Sequence, residues 1–125
     1  MRYMFLLYGD GSDPGPDVMI PKHVAFARKA RTRGAYVTCD ALQSRESATT
    51  VRVRDGKNLT TDGPFVETKE VLGGFYILEC RDLDEALAYA AQIPDAQYGS
   101  VEVRPIATIP GWEDAIGLHV GKGGG

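Results

Sequence analysis

The chain has 125 residues, of which 43% are apolar and 25% charged. That balance suits one compact domain and excludes a wholly disordered chain. The net charge of −3, from 17 acidic and 14 basic residues, gives no field for polyanions, so nucleic acid is excluded as the default partner. The two cysteines, Cys39 and Cys80, make neither a disulfide framework nor a zinc set, and no metal or cofactor is expected. No apolar run approaches the roughly 20 residues that span a bilayer, and no signal-peptide pattern is visible. The expectation is a cytoplasmic domain with reduced thiols and no membrane contact.

Arg2 to Tyr8 (RYMFLLY) is an apolar run stopped by the Gly/Pro/Asp cluster of residues 9–16, which reads as a buried strand followed by a loop. Pro21 suits the first turn of a helix running to about Arg33, with Gly34 just past its end. His23, Phe26, Ala27 and Ala30 share one helical stripe facing a sheet, while Arg28 and Lys29 lie off it. Ala35 to Leu42 reads as a second strand. Thr50 to Arg54 alternates, and Asp55-Gly56 then forms a strong hairpin signal before Lys57 to Thr61. Asp62-Gly63-Pro64-Phe65 is a turn, and Gly73 to Cys80 is the most apolar strand. Gly73-Gly74 lacks the context of a phosphate loop. Asp82, with Glu85 three residues on, is a capping box for a second helix whose inner face is Leu83, Ala86, Leu87, Ala90 and Ala91. Pro94 ends it, and Ser100 to Arg104 is the last strand.

Two helices spaced by strands define an α+β, ferredoxin-like sandwich of the dimeric α+β barrel type, with both helices on one face of a mostly antiparallel sheet. Residues 1–105 form the domain. Residues 106–125 form a glycine-rich extension, flexible at its end, that holds six of the 15 glycines. Met4 to Leu7 and Phe75 to Leu78 send apolar side chains to both faces of the sheet. Two helices cover only one face, so a homodimer is expected to cover the other.

The catalytic inventory is short. His119 lies in the extension, which leaves His23 as the histidine held in the fold. It reads either as a satisfied core ring or as a general acid/base. The carboxylate nearest to hand for fixing its tautomer is Asp62, although turn chemistry alone also explains that residue. Glu67, Thr68, Lys69 and Glu70 read as an exposed loop or as a pocket rim. Cys39 and Cys80 read as inert strand thiols.

The block Thr61-Asp62-Gly63-Pro64-Phe65-Val66-Glu67-Thr68-Lys69-Glu70, followed by Leu72-Gly73-Gly74-Phe75-Tyr76, closely resembles the signature of the DGPF-type branch of the YCII-related domain family. Thr50 to Gly56, Asp82 to Ala86 with Ile93-Pro94, and Gly99 to Pro105 fit as well, so the resemblance covers roughly residues 1–106. It implies a dimeric ferredoxin-like fold and an acid/base role for His23, which matches the family's histidine. The family's aspartate lies, in the other branch, in an Asp-Pro-Phe segment just before the last strand. The stretch Pro94 to Gly99 here lacks that motif, so the equivalence of Asp62 stays open. Some family members are dehydrochlorinases of aromatic degradation, and some accompany sigma-70-type factors.

Two functions follow as expectations. The first is a small dimeric enzyme or small-molecule binder doing lyase- or isomerase-type acid/base chemistry in a cleft between the His23 helix and the DGPF turn. His23 and Asp62 would be its pair, and Lys69 or Arg104 its anion anchor. The alternative is an interaction module for a sigma-factor-type protein, contacted through the basic helix face or the tail.

Overall fold

A computed structural model describes residues 1–117. Strand β1 (Arg2–Gly9) leads to helix α1 (Pro16–Thr32), β2 (Tyr36–Ala41), a ribbon of β3 (Thr49–Arg54) and β4 (Lys57–Asp62), then β5 (Val71–Glu79), helix α2 (Leu83–Gln92), β6 (Ser100–Pro105) and the short helix α3 (Trp112–Ala115). Four strands form one antiparallel sheet in the order β2-β5-β1-β6. With a helix after its first and third strands, that order is the ferredoxin-like arrangement expected from the alternation of elements.

Period-2 geometry divides the sheet as the sequence implies. Tyr3, Phe5, Leu7, Tyr76 and Leu78 point to the helices and are buried with Phe26, Ala30, Ala86, Tyr89 and Ile93. Phe5, Leu78 and Ile93 are among the most fully buried large side chains. Each contributes about 1.5–3 kcal/mol by leaving water. Met4, Leu6, Phe75 and Ile77 take the opposite face and are half-buried.

Helix α1 begins earlier than Pro21. Pro16 occupies the first helical turn, where a missing N–H costs nothing, and Pro21 lies inside the helix at the cost of one backbone bond. The additional turn buries Met19 under the core. The buried stripe of α2 also differs from the expected one. Ala86, Tyr89 and Ala90 face the core, whereas Leu83 and Leu87 are each 48% exposed. The Tyr89 ring meets Phe26 edge-on at 6.2 Å, and this contact sets the rotation of the helix. Asp82 caps α2 as expected, its Oδ1 accepting from the Glu85 N–H at 2.9 Å. Glu85 reaches back to the N–H of Arg81, one residue before the cap.

The hairpin forms at Asp55-Gly56, with φ of 53° and 74°, the two left-handed positions its turn requires. Among the described residues its two strands pair only with each other, so it stands as a separate ribbon between β2 and β5 in the chain. In the segment read as an extension, the Ile106 N–H continues the β1 pairing to the Arg2 carbonyl, and α3 carries an exposed Trp112. His119 and the terminal glycines lie outside the described residues. Among the described residues, no helix is long and apolar enough to cross a membrane.

Candidate functional site

Three elements meet at His23. Helix α1 carries the imidazole inward, stacked on the Tyr76 ring of β5 with centroids 5.8 Å apart. Nδ1 lies 2.7 Å from the Tyr76 hydroxyl. On the other side, Nε2 lies 2.7 Å from Asp95 Oδ1. Asp95 sits in a 3₁₀ turn, Pro94–Gln97, between α2 and β6. The side chains of His23 and Asp95 are 26% and 25% exposed, so the pair sits at the edge of the core, within reach of solvent.

The turn that presents Asp95 is fixed from below and behind. Ile93 and Pro94 are buried, and the Asp95 carbonyl accepts from the N–H groups of Tyr98 and Gly99. Gly99 packs directly on β1, where a Cβ would run into the Tyr8 carbonyl, so no other residue fits without a shift. On the outer side, Lys22 stands 5.8 Å over the Tyr98 ring.

Burial, with smaller effects from Cys39, Asp95 and Tyr36, pushes the Tyr76 hydroxyl well above the usual tyrosine range. It therefore keeps its proton at any physiological pH. A protonated phenol can serve either form of the ring. It donates to Nδ1 of a neutral imidazole, and it accepts from Nδ1–H of an imidazolium. Both protonation states of His23 thus have a partner at Nδ1. In the neutral state the remaining proton is on Nε2, facing Asp95. That contact is close but poorly aligned, and Asp95 Oδ1 is buried with no aligned hydrogen-bond partner among the described residues. Asp95 therefore has acceptor capacity to spare.

The other expected site residues lie elsewhere. Asp62 is exposed on the β3–β4 ribbon, in register with Thr49, and does not meet His23. Its place is taken by Asp95, which arrives in the segment before the last strand even though the Asp-Pro-Phe motif is absent. Arg104 stands opposite Met4, on the sheet face away from the helices, so the sheet separates it from His23. Lys69 lies in the segment between β4 and β5, where its charge helps hold Asp10 below the usual carboxylate range, after the larger effect of the hydrogen bonds from Ser12. The space beside Asp95 is bounded by Met19, Tyr98 and the Gly9–Gly11 strip and measures about 10 Å3, room for about one water. Among the described residues, no group of three or more His, Cys, Asp and Glu is placed to hold a metal ion. Tyr76 gave no sign in the sequence, where it is one aromatic in an apolar run.

An antiparallel ferredoxin-like domain with a histidine–carboxylate pair wedged between helix and sheet is the class these features define. The chain belongs to the YCII-related domain family, whose profile matches residues 1–110. It is 49% identical over 115 residues to an uncharacterized protein of Rhizobium meliloti (strain 1021), covering 86% of this chain and 93% of that one. Among solved structures, it is similar to the 5-chloro-2-hydroxyhydroquinone dehydrochlorinase of Burkholderia phenoliruptrix AC1100, determined in complex with 2,5-dihydroxybenzoquinone. That match has a TM-score of 0.50 and 15% identity, covering 87% of this chain and 96% of the other. At that identity the likeness establishes the shared fold.

Proposed function

We propose that the protein performs acid/base chemistry on a small polar or aromatic molecule, with Asp95 and His23 as the working pair and Tyr76 holding the ring. The observation that carries this reading is the imidazole fixed at 2.7 Å from a carboxylate on one side and 2.7 Å from a phenol on the other. Asp95, as the carboxylate, takes a proton from an activated C–H or O–H of the substrate. The Nε2–H of His23, its ring held by the Tyr76 hydroxyl donating to Nδ1, steadies the carboxyl while Asp95 carries this proton. It is returned to the product, or lost to solvent, as the pair resets. Dehydrochlorination, the named activity of the fold neighbour, belongs to this class of reaction. Because the enclosed space there holds about one water, the substrate meets Asp95 on its solvent-reached side. In this reading the protein works as a homodimer, with the half-buried face of Met4, Leu6, Phe75 and Ile77 turned to the second copy.

The test compares wild type with His23→Gln and Asp95→Asn, each checked for folding by circular dichroism. A panel of chlorinated and hydroxylated aromatics is followed for chloride release and for deuterium uptake from solvent. Loss of about 100-fold or more in both variants is expected. No consumption by wild type, or equal consumption by the folded variants, overturns the reading. The interaction-module alternative makes the opposite forecast. Binding of a sigma-factor-type partner would survive His23→Gln and fail on charge reversal at Arg28 and Lys29.

A further inference from the structure

The Thr61–Glu70 block that stands out in the sequence contributes nothing to the His23–Asp95 pair. It builds something else. The turn at Gly63 is tied down by its N–H to the Ala48 carbonyl at 2.8 Å and by Thr50 Oγ1 donating to the Gly63 carbonyl at 2.9 Å. The chain that follows, through Pro64, Val66 and Thr68, roofs a cleft whose other walls are Leu42, Leu72 and the Tyr8 ring at the end of β1. Its volume is about 520 Å3. Small-molecule sites commonly measure about 300–1,000 Å3.

The walls are mostly apolar, with Gln43, Ser44, Ser47 and Thr68 as polar members, and among the described residues that line the cleft Arg45 is the one charged side chain. Its Nη1 donates to the carbonyl of Thr68, another wall residue, at 3.3 Å. Its Nε is 3.9 Å from Glu46, too long for a committed hydrogen bond. Most of the five guanidinium donors are therefore free for a ligand. Leu42 and Val66 line a concave surface yet stay 49% and 57% exposed, apolar area that a ligand would cover.

We propose that this cleft is a second binding site, for a small aromatic anion whose ring lies between Leu42, Val66 and Leu72 and whose carboxylate or phenolate meets Arg45. The ring supplies apolar burial, and the anion supplies a charge-assisted, bidentate contact that lysine or a neutral donor would not match. A smaller recess of about 340 Å3 continues from the cleft to the Gly9–Gly11 strip. The far side of that strip bounds the space at Asp95.

The full chain, with its Leu and Val methyls labelled, is titrated with benzoate and with the neutral isostere benzamide and followed by NMR. Saturable shifts at the Leu42, Val66 and Leu72 methyls are expected with benzoate, and at least about tenfold weaker binding with benzamide. Arg45→Gln should remove that difference, and Leu72→Glu should abolish binding of both. Three results overturn the proposal: no saturable shift at these methyls up to about 10 mM benzoate, shifts centred elsewhere, or equal affinity for the two ligands. A cleft filled by a second copy of the chain gives the first of these. The readout involves no turnover at His23 or Asp95, so failure of one reading leaves the other standing.

Discussion

Replacing Tyr76 by Phe tests the geometry of the His23 site with the least disturbance. The phenol is only 3% exposed, and its ring makes an edge contact with Phe26 at 5.1 Å and a stack with His23 at 5.8 Å. Phenylalanine keeps both contacts, so the substitution removes only the hydroxyl that faces Nδ1. A net hydrogen bond contributes about 0.5–1.5 kcal/mol, and an orphaned buried acceptor would add to the loss. Because the imidazole is a quarter exposed, water can partly replace the phenol at Nδ1, and the expected cost is about 1 kcal/mol. Tyr76→Ala would forfeit the ring packing too and cost about 3–5 kcal/mol. The assay is urea unfolding of wild type, Tyr76→Phe, His23→Ala and the double variant at one fixed protein concentration. The cycle should give a coupling of about 0.5–1.5 kcal/mol. Additivity within about 0.3 kcal/mol would refute the bond. A second arm uses pH. Burial raises the folded-state pKa of Tyr76, so the folded protein holds this proton more tightly than the unfolded chain does. The contribution is constant below the unfolded tyrosine value near 10 and declines as pH rises above it. That decline should be shallower in Tyr76→Phe.

Two further outcomes follow from the packing. Cys80 is 2% exposed, and burial pushes its thiol up to about 11, so wild-type stability should already fall between pH 9 and 11. Cys80→Ala should flatten that limb of the urea midpoint against pH, and an unchanged limb would contradict it. Gly99→Ala drives a methyl into the Tyr8 carbonyl and should destabilise by about 1–3 kcal/mol while moving the His23 ring resonances, because the Asp95 turn must shift. An unchanged melting curve would show that the turn is not pinned there.

The sequence by itself determined what short-range physics controls. The Asp55-Gly56 hairpin, the Asp82 cap, the break at Pro94 and the inward stripe of His23 and Phe26 all depend on residues a few positions apart, and the structure has each of them. The ferredoxin-like arrangement followed from the order of these elements. Tertiary structure decided what joins distant segments. Tyr76 reaches His23 across 53 positions, and Asp95 comes from beyond α2. Which strand lies under α1, and which turn closes over its end, depend on the sheet order β2-β5-β1-β6, and no local spacing encodes that order. Asp62 was the near carboxylate along the DGPF block, but it belongs to a ribbon that leaves the main sheet, so nearness in motif did not become nearness in space. The rotation of α2 was open for the same reason. Two adjacent apolar stripes were available, and the Tyr89–Phe26 contact selected the one that faces the core.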